Sequence, residues 1–515
     1  MANKMVFGSA PQVRNHAGGK SHRKSSEEIL ACLASTGTFN DTFYASGRDQ
    51  LDLIHEHAQH VDDEFLAKLA LYSRHSAFMK DMPALFCAML IARQSQYAEH
   101  VFESVIDNAR MLRNFVQMIR SGAVGRKSLG SRAKRLVKNF IGNMGDYALW
   151  QASIGNDPSL VDVIKLAHPK AKDERRNALY GYIMGRPVDV ALLPDFIQQY
   201  EAFVNGNSRE APLNAPFQKL TGLPLTTKEW TQIAVNSKWQ MARMNLNTFN
   251  RHGVFEDPAM VRLIADRLQD RENIISARAF PYQLMTAALN VNEDIPHQIR
   301  GALEKAMEIS LENTPEIQGR TLVAVDVSGS MGSPVTGRQQ TKSSNVTCLD
   351  AAALIGAAIR RKNKDAMILT FDYTARELKV HRDAEVMTIA TKIKQKLGGG
   401  TNCGSVVQYL LDNNIGVENL IMVSDNESWA DGWNSKLSEL WARYKKLHPK
   451  ARMINCDITP NEYSETSNRA DTLRVAGFSD EVFNVMASFL GGGSNQVDAI
   501  KKVEIFGKKD VDEVE

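Results

Sequence analysis

A short apolar run that ends in an acid constrains this chain more than any other stretch. Val323 to Val325 precede Asp326, and Ser328 and Ser330 follow at alternate positions before glycine-bearing turn residues. Four to eight apolar residues bounded by turn signals are typical of a buried strand in a parallel sheet. Open α/β sheets place their sites where such strands end. The motif therefore predicts an oxygen-lined site at the carboxyl edge of a sheet.

Two later segments have the same character and are expected at the ends of neighbouring strands. Gly398 to Gly400 allow close backbone approach before the Thr401 hydroxyl, and an apolar run ends at Asp425. Carboxylate and hydroxyl oxygens suit Mg²⁺, with Mn²⁺ as the alternative ion. The competing interpretation makes Asp326 a helix cap and the serines a turn, which leaves the agreement of three separate segments unexplained. The predicted metal ligands, which resemble the metal-ion-dependent adhesion site of von Willebrand factor A domains, are Asp326, Ser328, Ser330, Thr401 and Asp425.

Length, charge and cysteine usage narrow the class of protein. At 515 residues the chain is long enough for two or three domains, and its formal net charge of +3 allows only a local nucleic-acid surface. The five cysteines are scattered, odd in number and without metal-ligand spacing, as is typical of reduced thiols. No secretory signal is visible, and no apolar run approaches the ~18 residues of a membrane helix. We therefore expect a cytoplasmic protein with no membrane partner.

Residues 25–315 carry helical periodicity. Ser26 begins the first segment with Glu27 and Glu28 in its first turn, and further segments of helical length follow after short connections. This pattern favours a HEAT-like helical-repeat domain, in which each helix pair buries its apolar stripe against its neighbours. A compact all-helical domain stays open as the alternative. Residues 1–24 are polar, basic and aperiodic, which predicts a flexible N-terminal arm.

The second half of the chain reads as a doubly wound α/β domain. Pro315 and Gly319 mark a linker, and residues 320–515 then alternate between strand and helix patterns. Predicted strands lie at 321–326, 366–372, 420–425, 452–458 and 502–506, with an edge strand at 377–380. Predicted helices lie at 348–362, 384–396, 404–413, 434–446 and 479–490.

One segment of the helical half is basic without acids. No acidic residue lies between Asp107 and Asp146, and residues 128–140 read as a helix that is apolar on one side and basic on the other. A solvated surface is the ordinary explanation of a basic run, but the missing acids favour phosphate binding. A second stretch, Arg243 to Arg251, is rich in side-chain amides that would face a ligand or serve helix ends equally well.

This combination resembles the Ro autoantigen family, in particular its bacterial members. Residues 125–135 are similar to the basic segment of that family's TROVE module, and residues 325–331 are similar to the opening of its von Willebrand factor A domain. The resemblance implies RNA contacts at matching positions. These are Arg126, Lys127, Arg132, Lys134, Arg135 and Lys138, with His168 and Lys170 similar to a histidine and lysine near the family's Y RNA surface.

The resemblance also implies an architecture and a function. The helical repeats are expected to form a horseshoe that the A domain closes into a monomeric ring. The ring would accept single-stranded 3′ ends of misfolded non-coding RNA, while small structured Y-like RNA binds the outer basic surface. A 3′ exoribonuclease, polynucleotide phosphorylase, is an expected partner in RNA quality control or decay.

Two other classes of function are alternatives to RNA binding. A metal-dependent scaffold would grip an acidic protein at the A-domain site, and the basic segment favours RNA over that alternative. An enzyme is not expected, because the chain has no Gly-x-Ser-x-Gly, no phosphate-binding loop ending in Gly-Lys-Ser and no His-Glu-x-x-His.

Overall fold

The protein combines a helical N-terminal half with an α/β C-terminal half in a computed structural model. The structure describes residues 12–14, 20–36, 47–155, 159–277, 279–335, 346–425, 437–459, 463–464, 469–476, 480–491 and 496–506. Within these ranges, no helix is long and apolar enough to cross a membrane.

Nineteen α-helices of the described chain precede the first strand of the large sheet. They are α1 (Ser26–Thr36), α2 (Gly47–Ala58), α3 (Asp63–His75), α4 (Asp81–Ala92), α5 (Ala98–Val105), α6 (Ala109–Arg120), α7 (Gly130–Asn143), α8 (Asp146–Ala152), α9 (Leu160–Ala167), α10 (Glu174–Ile183), α11 (Asp195–Val204), α12 (Phe217–Leu220), α13 (Thr227–Asn236), α14 (Trp239–Met244), α15 (Leu246–Arg251), α16 (Pro258–Leu268), α17 (Arg271–Ser276), α18 (Pro281–Asn290) and α19 (His297–Ser310).

Local chemistry sets where these helices begin. Asp62 accepts a hydrogen bond from the Phe65 amide at the start of α3, and Thr226 with Glu229 forms a capping box on α13. The helices pack mainly on near neighbours in the chain, such as α3 on α4 and α18 on α19. Each therefore buries its apolar face against the next, which confirms the predicted helical-repeat half.

The α/β half contains one six-stranded sheet. The elements of this half are β3 (Thr321–Asp326), α20 (Cys348–Lys362), β4 (Met367–Phe371), β5 (Ala375–Glu377), α21 (Val386–Lys394), α22 (Gly404–Asp412), β6 (Asn419–Ser424), α23 (Leu437–Leu447), β7 (Arg452–Asp457), β8 (Tyr463–Ser464), β9 (Thr472–Ala476), α24 (Asp480–Leu490) and α25 (Gln496–Lys501). The strand order is β5-β4-β3-β6-β7-β9, and only β5 runs antiparallel to its neighbour.

Alternation along the central strand explains how helices cover both faces of the sheet. Val323 and Val325 belong to the core that includes α20 and α21, while Leu322 and Ala324 belong to the core that includes α22 and α23. This arrangement is the predicted doubly wound α/β domain, and the expected fold class is confirmed.

Several details of the sequence prediction differ from the structure. The edge strand predicted at 377–380 lies at Ala375–Glu377 instead. Residues 502–506, predicted as a strand, contain no strand, because the edge beside β7 is taken by β9. Instead, α25 packs on α1 and α3, and the Phe506 ring lies 5.0 Å from the His100 ring on α5. Within the predicted flexible arm, the structure describes strands β1 (Gln12–Arg14) and β2 (Lys20–Arg23), and β2 pairs with β8.

The helical half contacts the α/β half at both of its ends. Near the start, α1 packs on β9 and the buried Lys24 ammonium lies 3.2 Å from the Asp457 carboxylate. Near its end, α19 packs on α21, and Glu308 accepts hydrogen bonds from Arg361 at 2.9 Å and from the Val386 amide at 2.6 Å. The helical half therefore contacts the α/β domain near both its first and its last helix, which is the arrangement that a closed ring would need.

Candidate metal centre and basic face

Three segments converge at the carboxyl edge of the sheet. Asp326 ends β3, and Asp425 directly follows β6, the parallel neighbour of β3. The segment before Thr401 is joined to the segment that follows β3 by two backbone hydrogen bonds, from the Gly329 amide to the Gly399 carbonyl at 3.1 Å and from the Gly398 amide to the Val327 carbonyl at 2.8 Å.

A glycine is required at one of these positions. Gly399 has φ +83°, and a Cβ there would lie 3.0 Å from the Cβ of Asp372. The left-handed backbone and the close approach therefore both exclude ordinary side chains. Thr401, two residues later, is buried at the same edge of the sheet.

Hydrogen bonds fix the Asp326 carboxylate. Its Oδ1 accepts from the Ser328 amide at 2.8 Å, and its Oδ2 accepts from the Ser424 hydroxyl at 2.6 Å. The Ser328 and Ser330 hydroxyl oxygens lie 3.2 Å apart. Ser424 was missed by sequence reasoning, although its position directly before Asp425 placed it at the same strand end.

The charge of this edge fits a cation. Asp326 is fully buried, and burial together with the nearby Asp425 charge raises the pKa of Asp326 to about 7. The Lys24 ammonium pairs instead with Asp457, whose pKa burial also raises to about 7 despite that pairing. A divalent cation at Asp326 and Asp425 would relieve the repulsion between the two carboxylates.

The donor set is made of two carboxylates and three hydroxyls. Among the described residues, no group of three His, Cys, Asp or Glu side chains is placed to hold a metal ion. A cation at this edge would therefore depend on the hydroxyls of Ser328, Ser330 and Thr401, which hard ions such as Mg²⁺ accept. The five predicted ligands stay a prediction that this chemistry supports.

The basic helix α7 is less uniformly basic in space than in sequence. Glu99 on α5 accepts hydrogen bonds from Arg132 at 2.9 Å and from Arg135 at 2.6 Å. Burial would raise the pKa of Glu99, but the hydrogen bonds from both arginines and their charges lower it. Arg132 also donates to the Ser95 carbonyl, and Arg126 donates to the Ile91 carbonyl at 3.2 Å. Arg126 and Arg132 thus have structural partners that sequence reasoning missed.

The remaining predicted RNA contacts of this segment are Arg135, Lys127 and the half-buried Lys134 and Lys138. Arg135 keeps 58% of its side chain exposed despite its ion pair. Lys134 and Lys138 are one helical turn apart, and neither makes an ion pair within the part of the chain that the structure describes. Lys127 is exposed just before the helix. We call Lys134, Arg135 and Lys138 the open basic face.

The other two predicted RNA contacts, His168 and Lys170, lie close to this face. Helix α9 packs on α7, His168 ends α9 with a left-handed φ of 53°, and both His168 and Lys170 are exposed. Arg176, the next arginine but one after Lys170, is buried instead and pairs with Asp146 at 2.9 Å. That arginine therefore connects helices and does not extend the basic surface.

The fold and the metal-type edge define a class: a helical-repeat half joined to a von Willebrand factor A-type domain. Residues 320–490 match the family model described as the Ro60 vWA domain. Nearly the whole chain is similar to the RNA-binding protein RO60 of Deinococcus radiodurans, with 26% identity over 93% of this chain and 96% of that protein. These similarities confirm the resemblance to the Ro family that the motifs predicted.

Two further comparisons agree with this assignment. The RNA-binding protein RO60 of Caenorhabditis elegans is 25% identical over 46% of this chain and 38% of that protein. The crystal structure of the Deinococcus radiodurans Ro protein superposes with a TM-score of 0.62 at 22% identity, covering 91% of this chain and all of that chain. The structural likeness supports the fold alone.

Proposed function

We propose that this protein binds RNA, and that the open basic face of α7 is a main contact surface. The observation that carries the proposal is that the half-buried Lys134 and Lys138 and the exposed Arg135 lie on one helix, and that neither lysine forms an ion pair among the described residues. A relative that aligns over most of the chain bears a name that describes RNA binding. Cations on a regular helix face match the spacing of nucleic-acid phosphates only loosely, so the contact would be tolerant of sequence.

Two kinds of RNA fit the proposal. Small structured Y-like RNA would lie on the outer face formed by α7 and α9, where duplex is recognised through its shape and 2′-hydroxyls. Single-stranded 3′ ends of misfolded non-coding RNA would enter the ring and be held through phosphates and stacking. The protein would then present such RNA for quality control or for decay by a 3′ exoribonuclease such as polynucleotide phosphorylase. The proposed role is binding, with no catalytic step.

The metal centre has a separate proposed role. Asp326, Ser328, Ser330, Thr401 and Asp425 would hold Mg²⁺ or Mn²⁺ and leave a position for an acidic group of a partner. The buried carboxylate pair favours this second function, a metal-dependent scaffold for a protein, beside RNA binding. Because the centre lies on the sheet edge and the open basic face lies on α7, the two functions are separable.

A fluorescence anisotropy titration tests the proposal directly. A labelled Y-like stem-loop and a labelled RNA with a single-stranded 3′ tail would each be titrated with the wild type and with the Lys134→Ala/Lys138→Ala variant. Both RNAs are expected to bind the wild type, and the stem-loop is expected to weaken more in the variant. No binding of either RNA at low salt would overturn the proposal.

A further inference from the structure

A cavity of about 350 Å³ lies between helices α14–α15 and α18. Its volume is in the range of small-molecule pockets. The side chains that carry the argument are Arg243, Met244, Asn247, Tyr282, Gln283 and Thr286. The first three belong to the amide-rich stretch that the RNA proposal does not use.

The amides of that stretch hold the walls of the cavity in place. The Asn247 side chain donates to the Asn290 carbonyl at 2.9 Å and accepts from the Asn292 amide at 3.0 Å. Asn250 donates to the Asp294 carboxylate at 2.8 Å. These contacts tie α15 to the end of α18, so the cavity is preformed, and the asparagines have a structural role.

Arg243 is the unusual group in this cavity. Its guanidinium donates to the Gln283 carbonyl at 2.8 Å and lies 5.6 Å from the centre of the Trp239 ring. Its Nε is buried without a hydrogen-bond partner, and no ion pair to Arg243 forms among the described residues. Burial lowers the pKa of Arg243, with no neighbouring acid to oppose that effect. A positive charge is thus partly removed from water without a counter-ion.

Two other partly buried arginines of this half, Arg267 and Arg300, are satisfied differently. Arg267 donates to two backbone carbonyls and to the Ser237 hydroxyl at 2.7 to 2.9 Å. Arg300 donates to two backbone carbonyls of the preceding turn. Arg243 keeps unused N–H donors beside an open cavity, and a guanidinium fork of that kind matches the oxygens of a phosphate.

We propose that this cavity binds a phosphate monoester through Arg243. The ligand would be a free nucleoside monophosphate or the terminal phosphate of an RNA. The phosphate would receive the unused donors of Arg243, and the Gln283 side-chain amide at the wall offers a further hydrogen bond. Met244, 68% exposed, and the Tyr282 ring would contact the ribose or base. The proposal does not depend on RNA binding by α7, because a free nucleotide suffices.

Isothermal titration with AMP, adenosine and inorganic phosphate tests the proposal on the full chain. The wild type is expected to bind AMP and phosphate but not adenosine. Arg243→Gln removes the guanidinium group. Gln283→Glu places a carboxylate beside Arg243, at an exposed position. Each is expected to weaken AMP binding by about ten- to hundredfold, the effect of losing charge-assisted hydrogen bonds.

Arg251→Gln is the matched control, since Arg251 is an exposed arginine on α15 outside the cavity lining. It is expected to keep the wild-type affinity for AMP. Equal AMP affinity in the wild type, Arg243→Gln and Gln283→Glu would overturn the proposal, as would absence of AMP and phosphate binding to the wild type. Circular dichroism identifies a misfolded Arg243→Gln, in which case the exposed Gln283→Glu variant decides.

The source of the phosphate is tested with one oligoribonucleotide carrying either a terminal phosphate or a terminal hydroxyl. Preference for the phosphorylated form, lost in Gln283→Glu, assigns the cavity to RNA ends. Binding of AMP with no such preference assigns it to free nucleotides. Failure of the α7 proposal looks different, because the hydroxyl-ended RNA would then bind poorly to every variant.

Discussion

Removing two lysines from the open basic face gives the sharpest test of how this protein would hold RNA. Lys134→Ala/Lys138→Ala removes two charges that make no described ion pair, whereas Arg132 also links α7 to Glu99 and Ser95. The double variant should therefore keep its fold, which thermal unfolding followed by circular dichroism checks. Its effect on RNA then reports the charges alone.

The size of the effect follows from counter-ion release. Each phosphate contact adds about 0.7 to 0.9 to the slope of log K against log salt concentration. Two lost contacts would flatten that slope by about 1.4 to 1.8, which weakens binding about 10- to 30-fold at physiological salt. Anisotropy titrations of the stem-loop at four or more salt concentrations measure both quantities.

A matched control separates local contact from total charge. Lys392 and Lys396 are exposed and, like Lys134 and Lys138, four residues apart, but they lie on and just after α21 in the α/β domain. Lys392→Ala/Lys396→Ala should leave the slope and the affinity close to those of the wild type. If both double variants change the slope equally, or if the α7 variant leaves it unchanged, then the open basic face is not the contact surface.

Three further predictions concern single side chains. Glu99→Gln should strengthen RNA binding and steepen its salt dependence, because Arg132 and Arg135 lose their shared counter-ion; weaker binding in anisotropy would refute this. Asp326→Ala should abolish Mg²⁺ binding in calorimetry while leaving RNA affinity unchanged, and loss of both would show that the two sites are coupled. Burial alone would raise the pKa of Asp471, but Arg469 and Lys445 together hold that pKa at about 2. The stabilisation that ionised Asp471 contributes is therefore present above the pKa of the unfolded state and is lost as the pH falls through about 2. Asp471→Asn should therefore lower the free energy of unfolding by about 1 kcal/mol at pH 7, after reduction for solvent screening. Urea unfolding should show that this difference from the wild type becomes smaller in acid.

The sheet was the most predictable part of the fold. The apolar runs ending at Asp326 and Asp425 specify β3 and β6 almost to the residue, because a strand buried on both faces leaves a continuous apolar signal. Residues 502–506 have a different pattern, in which Val503 and Ile505 alternate with charged residues, and Ile505 is buried in the helical core without forming a strand. The local sequence pattern indicates that a segment is buried, but it does not indicate which other segment covers it.

The candidate sites show the same difference between features with a local sequence signal and contacts between residues far apart in the chain. The metal-type edge was predictable because each of its three segments carries its own signal, and parallel strands bring their ends together. Glu99 was not predictable as a partner of Arg132, since the two residues are 33 positions apart on different helices. The sequence marked the stretch from Arg243 to Arg251 by its amides, but it could not show that Arg243 lacks a counter-ion, because that is a property of the surrounding fold.

Gentle purification from the native cell, followed by sequencing of any bound RNA, tests the central claim most directly. We expect one abundant small structured RNA with the wild type, and its loss from the Lys134→Ala/Lys138→Ala variant but not from Asp326→Ala. A wild-type preparation free of RNA at low salt would contradict the account, and the metal-dependent protein scaffold would then be the function to pursue.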